Sequence, residues 1–309
     1  MTKEKGIAWL RIMRLQFYPM TFIAYSLGAA LAAGKGLHFR DDLYVLGYGY
    51  LFLLELCTIL SNELYDLPTD RINRNASPFN GGSRVLVEEK LAPKEVRTAL
   101  GLLFFLLVAC GLLLVLSCPL SSRAAATVLL IAGIFLGLGY TMPPLQFCYR
   151  GVGELVVALT HSPYVIVCGF VLQSGSWANP TPWILSLPLS LAVLAAITLA
   201  GIPDHQADKK AFKYTLSVVF GEQTACLLAI IFATLAVGAG TLLWHLQILG
   251  RLGGLLVFVA TPHWMILVIA TSLFMKSGEY DRRIDGIMGI ALSYILWFGI
   301  IPLVASLRS

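Results

Sequence analysis

Long apolar runs alternate with short polar connections along most of the chain. Nine runs, near residues 12–33, 43–66, 96–117, 124–142, 153–173, 183–203, 223–245, 252–275 and 286–306, are long enough to cross a bilayer. About 20 residues at about 1.5 Å rise each cover a hydrocarbon core of about 30 Å. The pattern predicts an all-α membrane protein with nine transmembrane helices. The first run is expected to stay in the protein. "ALAAG" (30–34) resembles a cleavage site, but the run is too long for a signal peptide and eight more follow it.

Composition agrees with the pattern. Of 309 residues, 58% are hydrophobic and only 13% are charged, whereas a soluble domain carries about 25% charged residues. Mean hydropathy is +0.79. The six cysteines (57, 110, 118, 148, 168 and 226) are scattered and lack metal-ligand or CxxC spacing. They read as small buried hydrophobes, not as a metal cluster or a disulfide framework.

Charge sets the expected topology. With the N-terminus in the cytoplasm and nine crossings, 17 of the 22 Lys and Arg residues fall on the cytoplasmic face. The other five are Lys35, Arg40, Arg123, Arg251 and Arg308. This bias supports a multi-pass protein of the cell (inner or plasma) membrane with a cytoplasmic N-terminus. The formal net charge of +5 is explained by this bias and anionic lipid, so no nucleic-acid partner is expected.

The acidic residues follow the same side. Fourteen of the 17 Asp and Glu residues lie near the cytoplasmic face; Asp41 and Asp42 lie opposite and Glu55 lies within the second run. Acids contribute little to orientation, so this skew needs another cause.

Two groups stand out. One is Asn62-x3-Asp66-x3-Asp70, in "NELYDLPTD". The other is Asp204-x3-Asp208, in "GIPDHQADKKAFKYTL". Residues four apart are neighbours on a helix face, so each group forms an acidic stripe at the end of an even-numbered span. Pro68 is expected to loosen the first stripe near Asp70. Asp66 and Asp204, and likewise Asp70 and Asp208, are separated by the same offset of 138. That spacing predicts two four-helix repeats in parallel orientation (about 12–142 and 153–275) around a central cavity, with a ninth helix at 286–306. All of it forms one membrane domain.

Carboxylates a turn apart repel unless a cation lies between them. Mg²⁺ takes oxygen ligands and is commonly held by one or two carboxylates together with substrate phosphates. A diphosphate bridged by Mg²⁺ between the two groups would leave free oxygens for Lys and Arg. Glu55 lies on the same α-helical face as Asn62, two turns deeper. It is either an acceptor-binding or proton-handling group in a pocket, or a neutral packing residue. Arg150, in "YTMPPLQFCYRGVGE" (140–154), either binds phosphate or anchors at headgroups. Loops 67–95 and 204–222 read as cytoplasmic caps, the first made movable by Gly81-Gly82. His161 and His263 read as hydrogen-bonded core residues, and His205 as a group that tunes the second acidic pair.

With these residues in view, the chain resembles the UbiA superfamily of intramembrane prenyltransferases over nearly its whole length. The resemblance rests on the NxxxDxxxD and DxxxD motifs, on "DRINRNASPFNGGSRVL" (70–86) and on "DKKAFKYTLSVVFG" (208–221). "YTMPPLQFCYRGVGE" is most similar to the 1,4-dihydroxy-2-naphthoate branch. Phe212 departs from the pattern where glycine is usual, and Glu63 stands for a common Asp. The resemblance implies Mg²⁺ held by Asp66, Asp70, Asp204 and Asp208, with Asn62 assisting. It implies a polyprenyl diphosphate donor, with Arg14, Arg71, Arg150, Lys209 and Lys213 as candidates for its oxygens. Tyr140 would stabilise the allylic cation. A small aromatic acceptor in menaquinone-like quinone synthesis completes the reaction.

Other acceptors stay open: a 4-hydroxybenzoate-like ring, a tetrapyrrole carboxyl, a glycerol-lipid hydroxyl or a phosphoribosyl group. Two other classes compete. CDP-alcohol phosphotransferases require a DGxxAR segment that this sequence lacks. A cation transporter would place its acids near the midplane, where only Glu55 lies.

Overall fold

The computed structural model describes residues 3–308 except 37, 78 and 278–280, and leaves the side chain at 251 undescribed. The described residues are helical or in turns and loops. In chain order the helices are α1 (Lys3–Ile12), α2 (Tyr18–Ala33), α3 (Asp41–Tyr65), α4 (Leu67–Ile72), α5 (Pro93–Ser117) and α6 (Arg123–Gly139). Then come α7 (Gly153–Leu159), α8 (Val165–Ser174), α9 (Thr181–Lys210), α10 (Leu216–Phe220), α11 (Glu222–His245), α12 (Gly253–Ser277) and α13 (Arg283–Leu307). A π-helical turn, Thr160–Tyr164, carries Pro163 and joins α7 to α8 in one span.

Among the described residues, seven segments are long and apolar enough to cross a membrane: α3, α5, α7–α8, α9, α11, α12 and α13. The sequence pattern had predicted nine. Of the remaining two runs, α6 is an apolar helix of only 17 residues, and α2 has 16. The first run is interrupted. Arg14 adopts a left-handed backbone (φ 49°), so α1 stops at Ile12 and α2 starts afresh at Tyr18. Pro68 likewise acts by position. It sits in the first turn of α4, where a missing N–H costs nothing. The i to i+4 relation survives, because the Asp70 amide donates to the Asp66 carbonyl at 2.8 Å.

Small residues and tyrosines bind the bundle. α2 packs on α8 so closely that a Cβ at Gly28 would meet the Ile166 carbonyl oxygen at 1.9 Å, and one at Gly169 would meet the Tyr25 carbonyl oxygen at 2.1 Å. Without a hydrophobic drive between helices in lipid, such backbone approach supplies the packing energy. Buried tyrosines donate to carbonyls on neighbouring helices: Tyr50 to Leu130 (2.7 Å), Tyr164 to Leu129 (3.1 Å) and Tyr294 to Ala233 (2.9 Å). α9 packs against α7, α11 and α13, and α3 against α5, α6 and α8. Residues such as Leu102, Phe105, Leu112 and Leu116 of α5 stay exposed, as a lipid-facing surface requires.

α1 does not join the bundle core. Its Ala8 and Ile12 form a smaller apolar cluster with Leu60, Val85, Leu86, Leu91 and Val96. Arg11 grips Glu88 with two bonds (2.9 and 3.0 Å), and Lys5 pairs with Glu95 at 2.5 Å. This brings Arg14 and the 79–91 loop over the end of the bundle where α3 and α9 finish.

Candidate active site

α3 and α4 deliver one acidic pair and the last turns of α9 deliver the other. Asp66, Asp70, Asp204 and Asp208 line a single cavity of about 140 Å³, together with Asn62, Arg14, Tyr140 and Lys213. That is room for several waters or a small polyanion. The two stripes predicted from the sequence therefore face each other.

Each carboxylate has a distinct setting. The Lys213 ammonium donates to Asp66 Oδ2 at 2.9 Å and lies 3.9 Å from Asp208 Oδ1. Tyr149 donates its hydroxyl to the other oxygen, Asp66 Oδ1, at 2.8 Å. Asn73 Nδ2 donates to Asp204 Oδ1 at 2.6 Å. Asp70 is 9% exposed and has Gly82 pressed against it: a Cβ on Gly82 (φ 70°) would lie 2.2 Å from Asp70 Oδ2. Arg84 donates to the Asp70 backbone carbonyl.

Charge crowding shows in the titration of the groups outside the spans. Burial, then the neighbouring charges of Asp66, Glu63 and Asp204, push the Asp70 carboxyl up to about 8. Burial pulls the Lys213 ammonium down, but Asp66 and Asp208 outweigh it and hold it well above the ordinary lysine value. Lys213 is thus the cation that this acidic cluster keeps for itself.

The basic residues divide sharply. Arg14 and Lys213 line the cavity, and Arg14 also donates to the Phe79 carbonyl at 3.2 Å. Arg71, Arg150 and Lys209 are exposed and lie outside the cavity lining, contrary to the sequence expectation. Arg71 and Lys209 each follow an inward-facing Asp. One helical residue is about 100° of rotation, so the neighbour of an inward carboxylate points outward. Arg150 is used locally, donating to the Pro144 carbonyl at 2.7 Å. Glu55 also lies outside this lining.

Several contributors were not singled out from the sequence. Tyr149 bonds Asp66, lies 3.5 Å from the Thr69 hydroxyl, accepts the Tyr214 amide at 3.4 Å and has the Lys213 ammonium 5.5 Å over its ring. It links the two acidic groups through the 140–154 loop. Asn73 is another. Glu63 is buried and accepts two bonds from Ser83 (2.7 and 2.6 Å), so it anchors the cap loop. Glu154 accepts the Leu216 amide at 2.7 Å and ties α10 to α7. His205 turns to the Ser217 carbonyl at 2.9 Å, away from the aspartates. Loop residues carry no periodic signal, though Tyr149 stood in a stretch already marked as unusual. The cap is formed partly by Phe79, Asn80, Gly81 and Gly82, which line the cavity; Pro78 lies outside the described residues.

The four aspartates and Asn62 suit a hard cation, since they offer carboxylate and amide oxygens, although the cavity lining also includes Cys148. Asn62 Oδ1 is buried and has no hydrogen-bonding partner among the described residues, as a ligand atom awaiting its ion would be. Among the described residues no three His, Cys, Asp or Glu groups already stand close enough to hold a metal. Lys213 accounts for the spacing, because it bridges Asp66 and Asp208.

Residues 21–285 match the UbiA prenyltransferase family. The chain is 27% identical to the 1,4-dihydroxy-2-naphthoate octaprenyltransferase of Escherichia coli over 89% of its own length and 85% of that protein. It is 30% identical to the 2-carboxy-1,4-naphthoquinone phytyltransferase of Synechocystis over 65% of its length, spanning 61% of that relative. Among solved structures it resembles the apo UbiA homolog of Aeropyrum pernix (TM-score 0.68, 16% identity, 92% of this chain and 97% of that one). It also resembles the Archaeoglobus fulgidus homolog bound to GPP and Mg²⁺ (TM-score 0.54, 15% identity, 97% and 100%). With six of its seven apolar spans and both acidic motifs inside the matched region, the chain belongs to the UbiA prenyltransferase family.

Proposed function

We propose that this protein transfers a polyprenyl group from a polyprenyl diphosphate to a naphthoate-type aromatic acceptor, as in menaquinone-like synthesis. The observation that carries this reading is the meeting of Asp66 and Asp70 with Asp204 and Asp208 in one cavity that already holds a lysine. The names of the naphthoate-directed relatives support the acceptor class, and the GPP and Mg²⁺ in the archaeal homolog support the donor.

Asn62 and the four aspartates would hold Mg²⁺, which, when bound, neutralises charge on a diphosphate and makes it a better leaving group. Lys213 and Arg14 are the chain's own cations in the cavity, and both can take diphosphate oxygens. For Lys213 this means leaving Asp66 and Asp208. Tyr149 keeps Asp66 in place during that exchange. The Tyr140 ring lines the cavity and can face the positive charge that grows on the prenyl carbon as the C–O bond weakens. Phe79 to Gly82 exclude water from above. The isoprenoid tail leaves the cavity between helices toward lipid.

The same reading places the cavity mouth and the N-terminus on the cytoplasmic side, because the Lys and Arg excess lies there. It lets α2 and α6 cross as well, giving nine helices, with the offset of 138 between the acidic pairs marking two parallel repeats.

The test is prenyl transfer by purified protein. Labelled geranylgeranyl and longer diphosphates are offered with 1,4-dihydroxy-2-naphthoate and other ring acceptors, and products are identified by mass. Asp66→Asn and Asp204→Asn should each lower Mg²⁺-dependent turnover by roughly 10²-fold. Wild-type rates in either variant would remove the metal assignment. Donor binding that ignores chelation would remove the donor assignment.

A further inference from the structure

Glu55 lies past the middle of α3, inside a membrane-spanning segment. Both of its carboxyl oxygens are closed to solvent, and among the described residues neither meets a partner at full hydrogen-bonding geometry. The Tyr18 phenol oxygen, from the start of α2, is buried and unpartnered in the same way. The two groups lie within electrostatic reach of each other, and the Thr21 hydroxyl of α2 approaches Glu55 as a weak donor.

The bilayer offers these atoms no water. A charge at the helix centre costs about 2.5–3.5 kcal/mol on insertion scales. Unpartnered buried acceptors of this kind call for something that completes them.

The surroundings narrow what that is. The Tyr18 and Phe52 rings stand 5.0 Å apart between centroids, and Phe52 and Tyr48 stand 6.4 Å apart. The place is therefore framed by flat rings and presents carboxyl oxygens. A hard cation would want more oxygens than one carboxyl and one phenol provide. An isoprenoid chain would leave every one of these oxygens unpaired. A flat ring with hydroxyl donors satisfies both features.

Position matters as well. Glu55 is seven residues before Asn62, hence on the same face of α3 and about 10 Å deeper than the acidic cavity. Asn62, whose Oδ1 is likewise unpartnered among the described residues, lines the acidic cavity itself. A ring anchored at Glu55 would present its far edge to the region where the donor's reacting carbon enters.

We propose that Glu55 and Tyr18 form the acceptor subsite. A hydroxyl of the aromatic acceptor donates to the Glu55 carboxyl, a second polar atom meets the Tyr18 hydroxyl, and the Tyr18 and Phe52 rings hold the ring plane. This rests on the prenyl-transfer reading above and adds the residues that choose a hydroxylated ring.

Binding and kinetics together test it. Purified protein is titrated calorimetrically with 1,4-dihydroxynaphthalene and with 1,4-dimethoxynaphthalene, which lacks the donors. Wild type should bind the dihydroxy probe at least tenfold more tightly than the dimethoxy one. Glu55→Gln should erase most of that preference and raise the acceptor KM at least tenfold. Its KM for prenyl diphosphate and its Mg²⁺-dependent donor binding should stay at wild-type values. Tyr18→Phe should show a smaller loss in the same direction. Unchanged probe affinity in Glu55→Gln overturns the proposal and leaves a hydrated carboxyl only. Equal loss of donor and acceptor binding also overturns it, because that pattern belongs to a structural role. Glu55-dependent probe binding without any prenyl transfer sustains the subsite and removes the transfer reading instead.

Discussion

Asp66 illustrates how a residue is prepared for its task. One oxygen is fixed by Tyr149 and the other is lent to Lys213. A buried carboxylate pair with no cation would be costly, and the lysine removes that cost until another cation or an anionic ligand draws it away. Asp70 makes no ion pair among the described residues, though Lys213 acts on it from a distance, and its behaviour can be measured. Its carboxyl sits at about 8 in the fold against an ordinary value of 3.8. Between those values the folded chain keeps a proton that the unfolded chain has released, so stability falls as pH rises through the window. Mg²⁺ takes the carboxylate form, so its stabilising effect grows over the same window. The melting temperature of metal-free protein in detergent should fall from about pH 4 to about pH 8, and the rise on adding Mg²⁺ should be larger at the upper end. Asp70→Asn should make both trends shallower. The four aspartates were legible in the sequence because a spacing of four on a helix is a statement about one face. The flanking cations misled for the same reason: Arg71 and Lys209 follow inward residues and therefore turn outward.

At the scale of elements, the join between α4 and the cap loop is the sensitive point. Gly82 has a positive φ and almost touches Asp70. Alanine there adds about 1–2 kcal/mol of backbone strain and forces the Asp70 carboxylate to move. Gly82→Ala should lower Mg²⁺-dependent transfer by roughly 10²-fold, the scale that a small misplacement of a reacting group costs. Gly36→Ala is the matched control. Gly36 also has a positive φ (74°) but nothing within 4 Å of a new Cβ. It should cost similar stability and leave turnover unchanged. The breaks within runs were harder to read. A hydropathy pattern treats 12–33 as one span, yet the turn at 13–17 separates α1 from α2 and frees α1 to hold the cap. The π-turn at Thr160–Tyr164, which carries Pro163 and packs against α9 and α2, was likewise not read from the sequence.

For the whole molecule, the expected orientation has a direct check. The native cysteines are buried or half-buried, so an impermeant thiol reagent should react with them poorly. A cysteine placed at exposed Arg71 should then react in inside-out vesicles, and one at exposed Lys35 in right-side-out vesicles. The reverse pattern would turn the assigned topology over.

The amino-acid sequence by itself determined the membrane class, most of the spans and the two acidic pairs. These follow from local quantities, the length of apolar runs and the 3.6-residue period. Tertiary structure alone decided that Arg14 and Lys213 enter the cavity while Arg71, Arg150 and Lys209 do not. It alone brought Tyr149 and Asn73 to the aspartates and buried the oxygens of Glu55 and Tyr18 within electrostatic reach of each other. The reason is physical: which side of a helix meets which neighbour depends on helix rotation and loop path, and those are set by packing across segments far apart in the chain.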